Sequence, residues 1–196
     1  PEGLIYVDFE ASRHVIDPFP ISAGWTRIVG VDLGYNNPTA IVFIAIDKDG
    51  RAFIYREYYE RYKTYEEIIR DFIEMTRNES IDAVYVDPSE PAFIKALRQR
   101  GINAKEAKND VKEGISTVIT FFKTDRLFIF RGCKNLVDEI ENYRWKKVNE
   151  EIKDEPVKEY DHACDAMRYA LYTHFSSGAS PDKELIQKLK GATFYE

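Results

Sequence analysis

The chain has little that would tie it to a secreted, metal-stapled or membrane-bound protein. Only two cysteines occur in 196 residues. Cys133 and Cys164 lie far apart, and no CxxC or Cys/His cluster surrounds either, which excludes a disulfide framework and a zinc knuckle. A reduced, cytosolic compartment is expected. No uninterrupted apolar run approaches the ~20 residues that cross a bilayer, and the start Pro1-Glu2-Gly3-Leu4 has no basic leader followed by an apolar stretch. The protein is expected to be soluble and, since its first residue is not methionine, to be a piece of something longer. Repeats and low-complexity segments are missing too. Positive charge is in short supply: 28 Lys and Arg stand against 34 Asp and Glu, a net charge of −6. That excludes the dense basic face by which proteins coat nucleic acid through counterion release, and unaided DNA affinity is expected to be weak. It leaves room for an enzyme acting on nucleic acid through bound cations, whose charge offsets that of their carboxylate ligands.

What the chain does have is three aspartates in matched settings. Asp32 ends Ile28-Val29-Gly30-Val31, Asp87 ends Ala83-Val84-Tyr85-Val86, and Asp165 lies in Asp161-His162-Ala163-Cys164-Asp165-Ala166-Met167-Arg168-Tyr169. The first two runs read as strands covered on both faces, with an acid at the carboxyl end where open α/β sheets carry their sites. Three such acids from distant segments suggest one divalent-metal site.

With 44% hydrophobic residues, the chain can bury one substantial core. One domain is expected over residues 1–175, with a hairpin-like extension at 1–27 and a tail at 176–196. Leu4 to Ile16 alternates loosely and predicts a short hairpin. Strands follow at Ile28 to Asp32, Ala40 to Asp47 and Ala52 to Tyr58, the last two joined by the turn Asp47-Lys48-Asp49-Gly50. Thr64 with Glu67 is a capping-box pattern before a helix from Tyr65 to Arg77. Next come a strand from Ile81 to Val86, a helix opening at Ser89 with Pro91 in its first turn, and a strand around Ile102 to Ala104. Asp110 with Glu113 caps a helix through Phe122, Leu127 to Phe130 is a strand, and helices cover Lys134 to Tyr143 and Asp161 to Phe175. In the tail, Leu185 and Leu189 mark a short amphipathic segment.

A three-stranded meander followed by parallel strands and helices is the order of the α/β ribonuclease H-like fold, with its mixed central sheet flanked by helices. In that fold carboxylates come from the first strand, the first parallel strand after the meander, and a late helix. Asp32, Asp87 and Asp165 occupy those positions. Two Mg2+ or Mn2+ ions roughly 3.5 to 4 Å apart activate water and stabilise the leaving oxygen of a phosphodiester. Asp32, on a rigid central strand, is the candidate bridging ligand. On the late helix, residues three or four apart share a face, so Asp161 and Asp165, or His162 and Asp165, can address one ion. Asp161 also stands where an N-cap belongs. His162 reads either as a ligand or as a partner that orients water.

The segments Val31-Asp32-Leu33-Gly34-Tyr35 with Asn37-Pro38-Thr39-Ala40, Val86-Asp87-Pro88-Ser89, Cys133-Lys134-Asn135-Leu136 through Glu139, Tyr143-Arg144-Trp145-Lys146, and Asp161 through Ala170 together resemble the nuclease domain of phage terminase large subunits. The resemblance implies a metal-dependent endonuclease cutting concatemeric double-stranded viral DNA in the host cytoplasm during packaging. An N-terminal ATPase domain, a portal and a small terminase subunit would be its partners. It carries over Asp32, Asp87 and Asp165 as the acidic triad and His162 as a metal-binding helper. No GxxxxGK[ST] phosphate loop is present, so ATP hydrolysis is not expected of this chain. In this family a β-hairpin near the last helix is thought to influence DNA access, and Arg144 to Lys158, with Arg144, Lys146 and Lys147, is the matching stretch. An ordinary solvated connection is the other reading of it. Lys108 precedes a helix start, a natural place for a phosphate. The tyrosines Tyr58, Tyr59 and Tyr62 are expected to pack at a strand-to-helix junction.

Three rival readings remain. Val29 to Tyr35 also looks like the first phosphate loop of the actin and sugar-kinase superfamily, although Asp87-Pro88-Ser89-Glu90 lacks the glycines of a second. A non-catalytic docking module of the packaging machine would keep the fold but has no use for three acids. Holliday-junction resolvases share a late His-x-x-Asp pair but are usually strongly basic.

Overall fold

Runs of β-branched and aromatic residues between turn signals pair into one seven-stranded mixed sheet in a computed structural model that describes residues 3–177. β2 (Thr26–Asp32), β3 (Thr39–Ile46) and β4 (Ala52–Glu60) form the antiparallel meander. Its second turn is tight because Gly50 takes a φ of 76° and the Asp47 carboxylate accepts the N–H groups of Asp49 and Arg51. β5 (Ala83–Val86) lies parallel to β2, and β6 (Ala104–Glu106) lies parallel to β5. On the other edge, β7 (Leu127–Phe130) runs parallel to β4, and β1 (Val15–Ile16) runs parallel to β7.

Side-chain alternation along the strands sorts the helices onto two faces. Val29, Val31, Ile41, Phe43, Val84 and Val86 point to one side, where α2 (Tyr65–Met75) and α3 (Pro91–Gln99) bury Ile68, Phe72, Phe93 and Leu97 against them. Ile28, Val42, Ile44 and Tyr85 point to the other, under α4 (Val111–Lys123), α5 (Lys134–Asn142) and α6 (His162–Ser176). The expected caps form: Thr64 and Glu67 make a complete capping box, and Asp110 accepts the N–H of Glu113. Between α5 and α6, β8 (Trp145–Val148) and β9 (Glu151–Pro156) pair as a separate antiparallel hairpin.

Gly30 sets how closely α6 lies on the sheet. A Cβ there would stand 1.8 Å from the carbonyl oxygen of Ala166, so only glycine lets the helix backbone rest directly on β2.

The hairpin expected from Leu4 to Ile16 does not form. Leu4 makes an isolated antiparallel bridge to Arg144, the Ile5 N–H donates to the carbonyl of Tyr143, and α1 (Ala11–His14) then leads into β1. The cause is long-range packing. The Tyr6 ring meets Phe122 and Tyr143, and fully buried His14 accepts the N–H of Glu10 at Nδ1 while its Nε2 lies 3.0 Å from Asp125. The short strand expected at Ile102 to Ala104 is shifted to β6, because Gly101, at φ 77°, and Ile102 are used in leaving α3. The segment around Leu185 and Leu189 lies outside the described residues.

Candidate active site

The period of two along β2 puts Ile28, Gly30 and Asp32 on one face, so the residue that admits α6 is followed, two positions on, by a carboxylate beneath its first turn. Asp32 Oδ2 lies 2.9 Å from Nδ1 of His162. The same alternation carries Asp87, just past β5, to the side of Tyr85. Its Oδ2 accepts the Tyr169 hydroxyl at 2.7 Å, and its Oδ1 accepts the Ser89 N–H at 2.8 Å. Asp165 Oδ1 accepts Nη2 of Arg168 at 2.9 Å. All three predicted acids therefore meet one helix, His162, Asp165 and Tyr169 lying three and four residues apart on it. Among the described residues, however, no three His, Cys, Asp or Glu side chains converge closely enough to hold an ion as they stand. Each acid leans on a protein partner instead.

Burial lifts the Asp32 carboxyl to about 6; the His162 hydrogen bond opposes the rise, while Asp165 and Asp161 add to it. His162 is raised in turn, chiefly by its bond to Asp32. Asp87 differs: burial works against ionisation, but the Ser89 amide and the Tyr169 hydroxyl together hold it below the usual range. The Tyr169 phenol is raised by burial and then by the charges of Asp165, Asp32 and Asp87.

This donor set fits a hard divalent cation in kind and in charge. Carboxylate oxygens are the ligands such ions take. Asp32 is a desolvated carboxylate beside other acids, and buried Asp161 Oδ2 has no hydrogen-bond partner. Both are costly charges unless a cation approaches.

Two residues of the site had no role assigned from the sequence. Glu139, 4% exposed on α5, accepts the Cys164 N–H at 2.9 Å and the Tyr59 hydroxyl at 2.6 Å. It caps α6 from outside. Asp161, expected as a possible N-cap, occupies that position but makes no capping bond, its φ of −121° and ψ of 4° lying outside the extended capping geometry. Arg168, 2% exposed, joins Asp165 to the carbonyls of Asn109 and Asp110 ahead of α4, and its stem crosses Gly114, where a Cβ would come within 2.6 Å. The signal for both was a charge inside an apolar face: Glu139 between Leu136 and Ile140, Arg168 between Met167 and Tyr169.

The residues expected to meet DNA are dispersed. Lys108 donates its N–H to Thr173 and its ammonium to the Ser176 carbonyl, eleven or more residues along α6 from His162, a rise of roughly 16 Å. Arg144 pairs through its backbone with Leu4, while Lys146 and Lys147 lie on the hairpin 3.7 Å from Glu155 and 3.3 Å from Glu150. Tyr58 and Tyr59 pack as expected, their hydroxyls bonded to Asp71 and Glu139. Tyr62 does not: it is 63% exposed and meets Tyr35 edge to face.

An antiparallel meander flanked by parallel strands, with acids at the ends of β2 and β5 and on a late helix, defines a ribonuclease H-like domain. The family model described as the terminase RNaseH-like domain matches residues 29–173, and the chain belongs to that family. It is 26% identical over 184 residues to the terminase large subunit of Escherichia phage T5, covering 88% of this chain and 42% of that protein. It is similar to the large terminase of a thermophilic bacteriophage, solved in complex with ADP, at 32% identity and a TM-score of 0.79 over 85% of this chain and 44% of that one. The large terminase (g2p) nuclease domain of bacteriophage SPP1, solved with bound Mn, gives 25% identity and a TM-score of 0.61 over 74% of this chain and 84% of that one. This chain spans less than half the length of the first two of these proteins.

Proposed function

We propose that this chain is the nuclease domain of a phage terminase large subunit, a divalent-metal-dependent endodeoxyribonuclease that cuts concatemeric double-stranded DNA during genome packaging. The observation that carries the reading is the gathering of Asp32, Asp87 and Asp165, from β2, the end of β5 and α6, on one side of the sheet with His162 bonded to Asp32. Those four residues would hold two Mg2+ or Mn2+ ions, and bound Mn in the SPP1 nuclease domain supports the choice of metal. When bound, such ions activate water and stabilise the leaving oxygen. The chain's own residues do the rest. The 2.9 Å contact between His162 Nδ1 and Asp32 Oδ2 fixes the orientation of both side chains, leaving Asp32 Oδ1 and His162 Nε2 to face an ion. Tyr169 and the Ser89 amide fix the Asp87 carboxylate in its ionised form, and Arg168 fixes the rotamer of Asp165.

On this reading Lys146 and Lys147 on the β8–β9 hairpin, and Arg144 just before it, meet the DNA backbone, with Lys108 a more remote phosphate contact. The N-terminal ATPase domain of the full-length protein, the portal and the small subunit would be its partners, in the host cytoplasm. No described helix is long and apolar enough to cross a membrane.

The test incubates supercoiled plasmid with the protein in Mn2+, Mg2+, Ca2+ or EDTA, beside Asp32→Ala. Nicked and linear DNA are expected in Mn2+ or Mg2+ only, and the substitution should slow cleavage more than about a hundredfold, beyond the usual effect of losing an outer-shell partner. Cleavage that survives EDTA or the substitution would overturn the reading.

A further inference from the structure

Between the hairpin and α6, Lys158 reaches back over the acids. Its Nζ lies 3.8 Å from Asp161 Oδ2 and 3.8 Å from Asp165 Oδ2. Both distances are too long for a hydrogen bond, so the ammonium rests between two carboxylates without being fixed to either. The two side chains it spans are deeply buried, with exposures of 7% and 10%, whereas that of Lys158 itself is 58% exposed. Asp161 Oδ2 has no hydrogen-bond partner. Capping α6, the task its position suggests, is performed by Glu139. A buried carboxylate oxygen that caps nothing, accepts no hydrogen bond and faces a loosely held cation one helical turn from Asp165 is a vacant ligand.

We propose that Asp161 and Asp165 form a cation position at the N-terminal edge of the site, and that Lys158 is a tethered counter-ion holding that position until a divalent ion displaces it. The inference rests on the nuclease reading and adds to it a fourth carboxylate ligand and a built-in competitor. Lys158 lies two residues beyond the end of β9, so movement of the hairpin would move the competitor with it.

Calorimetric titration of Mn2+ into the DNA-free protein tests this without reference to cleavage. Lys158→Gln should tighten Mn2+ binding by about three- to fivefold, the scale of a half-exposed ion pair, and the gain should shrink as salt screens the ammonium. Asp161→Asn, isosteric at an N-cap position, should weaken binding and abolish the gain from Lys158→Gln in the double variant. Circular dichroism of each variant checks that the fold is retained. Equal or weaker Mn2+ affinity in Lys158→Gln, or unchanged affinity in Asp161→Asn, overturns the proposal. If Asp32→Ala still abolishes metal-dependent cleavage in that event, the nuclease reading stands without it. If the DNA-free wild type takes up no Mn2+ at all, this proposal falls, and plasmid cleavage in Mn2+ against EDTA decides the nuclease reading by itself.

Discussion

Asp32 is a carboxylate that the fold makes costly to ionise. With its carboxyl raised from 3.8 to about 6 by burial, the unfolded chain releases the proton across that interval while the folded one keeps it. This group's contribution to stability therefore falls as pH rises through the window, by at most about 3 kcal/mol. In EDTA, urea unfolding of the wild type and Asp32→Asn between pH 4 and 7 should diverge, the variant becoming the more stable toward neutrality. Parallel curves would show that the buried charge is not the cause. Burial raises the Glu139 carboxyl in the same direction, but this one is held by two donors. Glu139→Ala leaves the Cys164 amide and the Tyr59 hydroxyl without their buried acceptor, at a cost of about 3 kcal/mol in urea unfolding. Glu139→Gln, whose one carbonyl oxygen can still accept the Cys164 N–H while its amide nitrogen donates to the Tyr59 oxygen, should lose clearly less. These residues differ in legibility. Asp32, Asp87 and Asp165 stand at element ends that periodicity locates, whereas the role of Glu139 depends on a helix terminus twenty-five residues away in sequence.

At the scale of elements, the contact of α6 with β2 decides whether the site exists. Gly30→Ala would drive a methyl group into the Ala166 carbonyl, so the helix must lift and His162 must part from Asp32. A loss of at least about 1–3 kcal/mol in unfolding free energy is expected, together with loss of plasmid cleavage. Gly132→Ala, where nothing lies within 4 Å of the added atom, is the control and should change neither. Most elements were readable because their signals are local: the capping box of α2, the Asp-Gly turn of the meander, and Pro91 opening α3. The short edge strand β6 was misplaced by two residues because three pairing residues carry almost no pattern, and the exit from α3 decides where pairing begins.

For the whole molecule, the N-terminal segment belongs to the body of the fold. β1 pairs with β7, and Phe19 lies against Trp25, Phe53 and Phe130. Deleting residues 1–20 would bare both the β7 edge and this aromatic cluster, so the truncated protein should melt at lower temperature and self-associate. Scanning calorimetry and size-exclusion chromatography read the two effects, and an unchanged melting temperature would make the segment dispensable. The hairpin has the opposite character: β8 and β9 are almost wholly exposed, and their lysines face neighbouring glutamates.

The sequence alone determined the alternation of strands and helices, the division of the sheet into meander and parallel halves, and the acids at the ends of β2 and β5. Each is written in a period of two or 3.6 residues and in the turn residues between. Only the tertiary structure decided that the N-terminal segment joins β7 instead of folding back on itself. It also decided that Glu139 and not Asp161 caps α6, and that Arg168 and Lys158 attend the acids. Those outcomes depend on which distant groups compete for the same buried donor or carboxylate, and that competition has no period along the chain.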